Sequence, residues 1–342
     1  MKNLIPLTAI AALVASGISS AQDPTPAYSK PSGYVDLGAV AAKSEITFSV
    51  PLLNAPEASA TVISAAGSVV TLDGTPLDSD VFNAPVSGAP YMVEITTGTS
   101  AGLFLVVSSN TDSTITVMLG NGETLEDLVS GDQLSLRKAW TLETLLPSAD
   151  LPEGAQVAGF DVQSGVDNSA TPLYLNNPSF GGWIDGATFG AAGNAVLYPG
   201  ESFILINNTD TPITSLVVVG QVPTSPSRLR IANDTAGVPQ DTRIAYVGPV
   251  DETLNEAGFA PSEGDQLLVY NQTSTGLDKS ASQILIFNSS FGGWIDGATF
   301  SPVGDTFKLK GGQGYVYRRS AQAPAGDQVI SDIQTYIPNL NN

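Results

Sequence analysis

The chain contains no cysteine and no histidine among its 342 residues. Without cysteine, it has neither disulfide staples nor thiol chemistry, so a protein of this size must be stabilised by its hydrophobic cores. Without histidine, it lacks the usual general base, the histidine-based catalytic triads and the commonest zinc ligand. The sequence also shows no phosphate-binding loop, metal-ligand cluster or activated serine, and we therefore predict a protein that is not an enzyme.

Positive charge is scarce, with 13 lysine and arginine residues against 33 acidic residues and a net charge of −20. Such a chain repels nucleic acid and anionic membranes. Only 13% of the residues are charged, so uncharged polar side chains must cover most of the surface. The acidity can also indicate cation binding, for which Asp78 with Asp80, or Asp167 with Asn168, are candidate calcium ligands. Because no complete ligand-spaced loop accompanies them, we predict solvated turn residues there and no cofactor.

Only the start of the chain forms an extended apolar stretch. A short positive segment over 1–3 precedes an apolar segment over 4–17, and Ser19-Ser20-Ala21 supplies small residues at the cleavage position. This pattern predicts a secretory signal peptide over 1–21; the alternative is a buried N-terminal helix. No later run reaches the roughly 20 apolar residues that span a bilayer, so we predict no membrane span in the mature chain. We expect the mature protein to be extracellular, at the cell surface or periplasmic.

Internal repetition is the most informative feature that is present. The decapeptide FGGWIDGATF occurs over 180–189 and returns unchanged over 291–300. The flanking segments match in apolar pattern and in turn glycines but not in identity, which predicts two related halves at about 158–209 and 257–319. Either the decapeptide is constrained more tightly than its surroundings, or it was recently copied by itself.

Short alternating apolar segments separated by glycine-rich turns run through most of the chain, which is typical of an all-β protein. After a proline-rich lead over 22–32, we predict a small antiparallel barrel or sandwich as an N-terminal β domain over 33–148. The alternative for this block is a meander packed on its neighbour. A second β-rich domain, which contains the internal duplication, is predicted over 149–320.

The tail over 321–342 has apolar residues at helical spacing, which predicts a short amphipathic helix. Its apolar stripe consists of Val329, Ile330, Ile333, Tyr336 and Ile337. Such a stripe either docks on its own domain or binds a neighbouring molecule, so the tail is a candidate docking segment.

Each decapeptide contains a dipeptide of the kind found in two-residue β-hairpin turns, Asp185-Gly186 in the first copy and Asp296-Gly297 in the second. Turns of this type need positive φ, which aspartate–glycine pairs adopt readily. We therefore predict a hairpin turn at each dipeptide. Both aspartates are expected to be turn residues, because their positions in the sequence do not establish a glycosidase pair.

Pairing across such a turn puts each tryptophan opposite a threonine, on the face away from the neighbouring isoleucine. Trp183 with Thr188, and Trp294 with Thr299, are therefore candidate ligand or interface residues. In one interpretation, the tryptophans are exposed platforms that suit sugar stacking or self-association. In the other, a loop or a neighbouring domain covers each tryptophan, which is then a packing residue.

Segments that carry a family resemblance are spread over most of the mature chain. They are Val50-Pro51-Leu52, the segments over 91–98 and 101–106, WTLETLLP over 140–147, the two Phe-Gly-Gly-Trp segments and Tyr315-Val316-Tyr317-Arg318-Arg319. In these signatures, the chain resembles a paralogous family of secreted β-rich proteins from verrucomicrobial bacteria. The resemblance implies export and a cell-surface role, and it carries over no catalytic residue. The chain lacks a C-terminal apolar sorting helix, so membrane anchoring is not expected.

We therefore predict a non-enzymatic secreted or cell-surface structural protein that associates with itself or with other cell-surface components. The alternative is a carbohydrate-binding module that stacks glycans on Trp183 and Trp294. A third hypothesis is a hydrolase built on carboxylates alone, which requires two acids that converge in a cleft.

Overall fold

The computed structural model describes residues 31–85, 88–120, 123–160 and 165–332, so the predicted signal peptide lies outside the described residues. The strands are β1 (Ser32–Asp36), β2 (Ser44–Phe48), β3 (Pro56–Ala66), β4 (Val69–Leu72), β5 (Tyr91–Ile95), β6 (Phe104–Asn110), β7 (Thr114–Met118), β8 (Gln133–Lys138), β9 (Gln156–Ala158), β10 (Leu173–Asn177), β11 (Gly182–Asp185), β12 (Phe203–Asn207), β13 (Val217–Gln221), β14 (Ser227–Ile231), β15 (Gln240–Ala245), β16 (Glu252–Thr253), β17 (Gln266–Val269), β18 (Gln283–Asn288), β19 (Gly293–Asp296), β20 (Lys308–Leu309), β21 (Gly314–Arg319) and β22 (Gln328–Asp332). The helical segments in the same ranges are α1 (Leu142–Leu145) and three 3₁₀ turns at Ser148–Asp150, Pro178–Phe180 and Ser289–Phe291.

The prediction of an all-β protein is confirmed. Within the described ranges, no helix is long and apolar enough to cross a membrane.

Strands β3 to β8 form a closed antiparallel barrel in the order β3-β4-β7-β6-β5-β8. Its interior is filled by alternate residues of each strand, as in β7, where Ile115 and Val117 are buried and Thr114 and Thr116 are partly exposed. Closure leaves no unpaired strand edge. The barrel therefore covers 56–138, a shorter range than the predicted N-terminal domain over 33–148, because β1 and β2 pair with later strands.

Two five-stranded antiparallel sheets outside the barrel have the same strand order. The first is β11-β10-β9-β12-β2 and the second is β19-β18-β17-β21-β15. Each copy also contributes a two-stranded sheet, β1-β13 in the first and β14-β22 in the second. The duplication thus extends beyond the predicted halves at about 158–209 and 257–319. The first copy consists of β1 to β13 without the barrel strands β3 to β8. The second copy consists of β14 to β22.

The barrel is an insertion in the first copy, between β2 and β9. At the corresponding point of the second copy, between β15 and β17, the chain contains only a loop with the short strand β16. Both copies share a local feature here. Thr141 and Thr144 form a capping box at α1, and Thr253 and Glu256 exchange equivalent hydrogen bonds after β16. The insertion separates β2 from its sheet partners along the chain.

A buried ion pair ties the barrel to the segment that follows the first copy. Arg137 on β8 pairs with Glu94 on β5, and their side chains are only 3% and 2% exposed. Arg137 also donates hydrogen bonds to the Asn54 carbonyl and, over 3.1 Å, to Gln221 Oε1. The Ser225 hydroxyl donates to the Glu94 carboxylate. Both charges are therefore paired and hydrogen-bonded, as burial requires.

The last described segment is a strand, so the prediction of a helix there is wrong. Strand β22 pairs antiparallel with β14. Ile330 is buried and Val329 is exposed, which is the alternation of a strand. The partner strand β14 lies about a hundred residues away in the sequence and overrides the helical spacing. Ile333, Tyr336 and Ile337, the other members of the predicted stripe, lie outside the described residues.

Candidate functional site

The two decapeptides occupy equivalent positions at sheet edges. Strands β11 and β19 are the terminal strands of their sheets, next to β10 and β18. Each follows a 3₁₀ turn, and the side chains of Asn177 and Asn288 cap these turns by accepting hydrogen bonds from the backbone two residues later. Equal sequence at equal positions makes the duplicated edge segment the first candidate for a functional site.

Both tryptophans are buried, so the interpretation of exposed platforms is wrong. Trp183 is 2% and Trp294 is 4% exposed. Trp183 Nε1 donates a hydrogen bond of 2.8 Å to the Leu146 carbonyl. Trp294 packs edge-on, at centroid distances of 5.8–6.4 Å, against the rings of Phe259, Phe287 and Tyr317. Ile184 and Ile295 are buried as well, which covers both faces of each edge strand.

The predicted two-residue hairpins are also wrong, because each decapeptide makes a wider turn. Phe189 N–H donates to the Asp185 carbonyl over 2.8 Å, and Asp185 N–H donates to the Gly190 carbonyl over 2.9 Å. Further on, Ala192 N–H donates to the Trp183 carbonyl over 2.8 Å, and the second copy makes the equivalent bonds. The returning segment therefore occupies the outer edges of β11 and β19, which protects them from pairing with another strand.

Glycine follows each aspartate because another backbone segment passes close by. Neither Gly186 nor Gly297 has a positive φ. A Cβ atom at Gly186 would lie 2.9 Å from the Leu173 carbonyl oxygen, and one at Gly297 would lie 2.9 Å from that of Ile284. Glycine is therefore required for close approach to the neighbouring strand and not for the turn type that the sequence suggested.

The aspartates and threonines hold the turn together. Asp185 Oδ1 accepts hydrogen bonds from the backbone of Ala187 (3.0 Å) and from the backbone (2.7 Å) and hydroxyl (2.9 Å) of Thr188. Asp296 makes the same three contacts with the corresponding residues of its copy, and Gln283 donates to its second oxygen over 2.7 Å. Thr188 and Thr299 are exposed, but their hydroxyls serve the turn.

These hydrogen bonds set a testable pH dependence. The backbone N–H and hydroxyl of Thr188 lower the pKa of Asp185, and Gln283 with the Thr299 backbone lowers that of Asp296. Because the folded-state pKa is lowered, the stability from each carboxylate is present above its unfolded-state pKa and is lost as the pH falls through the folded-state value. In an NMR titration, we expect Thr188→Val to raise the pKa of Asp185 and to leave that of Asp296 unchanged. An unaltered Asp185 pKa would contradict the role of the hydroxyl.

The ends of the decapeptide point into solvent. Phe180 and Phe189 are 66% and 63% exposed, and Phe291 and Phe300 are 55% and 59% exposed. In the second copy, the centroids of the two rings lie 6.2 Å apart. Phe189 and Phe300 each have a φ of +57°, in the left-handed region that costs a bulky residue roughly 1–2 kcal/mol. We call Phe180 with Phe189 the first phenylalanine patch and Phe291 with Phe300 the second.

Packing explains most of the identity between the two decapeptides, but not the phenylalanines. Tryptophan and isoleucine fill the cores, while aspartate, glycine and threonine hold the turn. The phenylalanines are unchanged although they are mostly exposed. Sequence reasoning missed these residues, because it treated the tryptophans as the candidate exposed aromatic residues of the decapeptide. Exposed aromatic residues in a strained backbone conformation are typical of contact sites.

The candidate calcium residues have partners within the protein. Asp80 Oδ1 accepts a hydrogen bond of 2.9 Å from Asn83, and Asp167 pairs with Arg318 over 2.8 Å. The backbone carbonyl of Asp78 accepts a hydrogen bond from a buried asparagine. Within the described ranges, no group of three or more acidic side chains is placed to hold a metal ion.

The duplicated turn is therefore the candidate functional site. Its tryptophan is buried and its phenylalanines are exposed. The patches contain no titratable side chain, which favours a contact surface over a reactive centre. In comparisons with known proteins, the chain matches no protein-family model, no curated protein and no solved structure.

Proposed function

We propose that the protein is a non-enzymatic, exported structural protein that associates with further copies of itself through its two phenylalanine patches. The observation that carries this proposal is the exposure of four phenylalanines at the ends of two unchanged decapeptides on equivalent sheet edges. A chain with two like patches can contact two other molecules at once. Contacts between like patches would therefore join the molecules into linear assemblies.

The energetics of the patches support side-chain contacts between molecules. Burial of one phenylalanine contributes about 1.5–3 kcal/mol, so a contact between two patches can offset part of the entropy lost on association. Pairing of strand edges is not available at β11 and β19, because the returning segments already occupy them. Contact through side chains limits association to discrete sites and avoids open-ended strand pairing.

The net charge of −20 opposes association at low ionic strength. Like-charged molecules repel one another, and salt screens this repulsion over about 10 Å at 0.1 M. The patches themselves are uncharged, so salt should not weaken the contact between them. We therefore expect assembly to increase with salt concentration. The opposite trend would indicate that ion pairs hold the molecules together.

The proposal places this assembly outside the cytoplasm, at the cell surface, in the periplasm or free in the medium. The predicted signal peptide over 1–21 and the resemblance to a secreted verrucomicrobial family support export. Other cell-surface components are further candidate partners. Glycans have no exposed ring to stack on at Trp183 and Trp294, because both side chains are buried.

Removal of the patches tests the proposal. The measurement is the solution mass of the mature protein, by size exclusion with light scattering, over a range of protein and salt concentrations. We expect the mass of the unaltered protein to rise with concentration. Phe180→Ser with Phe189→Ser leaves one patch and should stop assembly at dimers, whereas serine at all four positions should leave monomers.

The barrel offers a matched control. Serine substitutions of four exposed apolar residues there change a similar surface without touching either patch: Ile63, Val81, Met118 and Val129. This control variant should assemble like the unaltered protein. A monomeric unaltered protein at all concentrations, or assembly that persists without the four phenylalanines, would exclude the proposal.

A further inference from the structure

A cavity of about 390 Å³ lies where the barrel meets both copies of the duplicated unit. Its walls include residues 102–104 of the barrel, 198–203 of the first copy and 241–243 of the second. It contains none of the four patch phenylalanines. Volumes of this size are typical of small-molecule sites. The cavity is therefore a candidate binding site that is separate from the surface proposed for assembly.

One wall carries a cationic side chain without a hydrogen-bond acceptor. The guanidinium carbon of Arg243 lies 3.5 Å from the centroid of the Phe160 ring. Its Nη1 atom is buried and has no hydrogen-bond partner among the described residues. Burial lowers the pKa of Arg243. The nearby carboxylate of Asp241 is already bound by Arg318 over 2.7 Å.

A buried guanidinium normally donates to several acceptors, because it has five N–H groups and loses its hydration on burial. The aromatic face of Phe160 compensates for part of this loss, but it accepts no in-plane hydrogen bond. Arg243 lines the cavity, and its guanidinium is therefore suited to a planar anion such as a carboxylate, which can bind it through both oxygens.

The equivalent position in the other copy of the fold is hydrogen-bonded within the protein. Thr47 on β2 has the same register in its sheet as Arg243 on β15. Gln272 fills the space beside it, accepting a hydrogen bond from the Thr47 backbone (2.9 Å) and donating one to its hydroxyl (2.7 Å). The hydroxyl donates in turn to the Gly314 carbonyl over 2.8 Å. Thr47 of the first copy is thus hydrogen-bonded by residues of the second copy, whereas Nη1 of Arg243 has no partner.

The cavity wall also carries a second, chemically different group of side chains, Tyr198, Glu201 and Glu123. Burial, together with the negative charges of Glu201 and Glu123, raises the pKa of Tyr198 to about 12. Its hydroxyl therefore stays neutral, while the two carboxylates can accept hydrogen bonds. All three side chains line the same cavity as Arg243.

We propose that this cavity binds a sugar acid, whose carboxylate would contact Arg243 and whose hydroxyl groups would contact Tyr198, Glu201 and Glu123. A neutral sugar would leave the guanidinium unpaired. An inorganic anion has no row of hydroxyl groups to donate to the carboxylates. An amino acid shares the carboxylate but offers an ammonium group in place of several hydroxyl groups, so it is the closest competitor in a binding test.

Calorimetric titration of the mature protein with D-glucuronate and D-galacturonate tests the proposal, with glucose, glutamate and phosphate as comparison ligands. We expect at least one sugar acid to bind. Glucose should bind at least about tenfold more weakly, because it lacks the charge-assisted hydrogen bond. Absence of binding by both sugar acids would overturn the proposal, as would equal or tighter binding of glucose, glutamate or phosphate.

Two variants locate the binding site. Arg243→Met removes the donors and keeps an apolar chain against Phe160, so it should weaken sugar-acid binding at least about tenfold without lowering the melting temperature. Arg243→Lys keeps the charge but loses the two-pronged geometry, and it should bind with intermediate affinity. Lys43→Met, which removes a positive charge at an exposed site, is the control and should bind normally. Unchanged affinity in either Arg243 variant would overturn the assignment.

Discussion

Replacement of Trp294 by alanine is expected to lower the free energy of unfolding by about 3–5 kcal/mol, the usual range for truncation of a large buried aromatic side chain. Trp294 is 4% exposed and contacts three aromatic rings of its core. Alanine would leave a cavity that these rings cannot fill without abandoning their own packing. The measurement is denaturant unfolding at low protein concentration, with the slope checked for two-state behaviour.

The same decapeptide provides the control for this experiment. Phe300 lies six residues further along and is 59% exposed. Phe300→Ala should change the free energy of unfolding by no more than about 0.5 kcal/mol, as is usual for surface positions. Equal effects of the two substitutions would contradict the division of the decapeptide into a buried tryptophan and exposed phenylalanines. Trp183→Ala should behave like Trp294→Ala, and it also leaves the Leu146 carbonyl without its donor.

Removal of one partner from the buried ion pair is expected to lower the free energy of unfolding about as much as Trp294→Ala does. Arg137→Met should cost about 3–5 kcal/mol, because the Glu94 carboxylate would remain buried without its counter-charge. Replacement of both residues by methionine removes both charges from the interior. The double variant should therefore recover most of the lost stability, since well-packed apolar residues often replace a buried pair without loss.

A double-mutant cycle measures this coupling between Arg137 and Glu94. The control is Lys138→Met, which affects the next residue of β8. Lys138 faces solvent and lies 3.9 Å from Glu57 in an exposed ion pair, so its loss should cost at most about 1 kcal/mol. If the double variant is no more stable than Arg137→Met, the hydrogen bonds to Asn54, Gln221 and Ser225 stabilise the contact between the barrel and the following segment more than the ion pair does.

The sequence by itself determined the all-β class and the existence of a duplication. Alternation such as Thr114-Ile115-Thr116-Val117 specifies a strand with one buried face, whatever its partner. The unchanged decapeptide marked equivalent places in two copies of one unit. These features were readable because each is contained within a few neighbouring residues. A small antiparallel barrel or sandwich was predicted for the same reason, since the barrel strands follow one another along the chain.

Only the tertiary structure decided which strands pair and which side chains are buried. Strand β2 pairs with β12, with Phe48 opposite Phe203, although the whole barrel separates them in the sequence. Trp183 is buried in a core shared with Leu142 and donates to the Leu146 carbonyl, and β14 converts the predicted tail helix into β22. The unpaired Nη1 donor of Arg243 becomes apparent only when both copies and the barrel meet. Each outcome depends on contacts between residues far apart in the chain, for which local pattern carries no information.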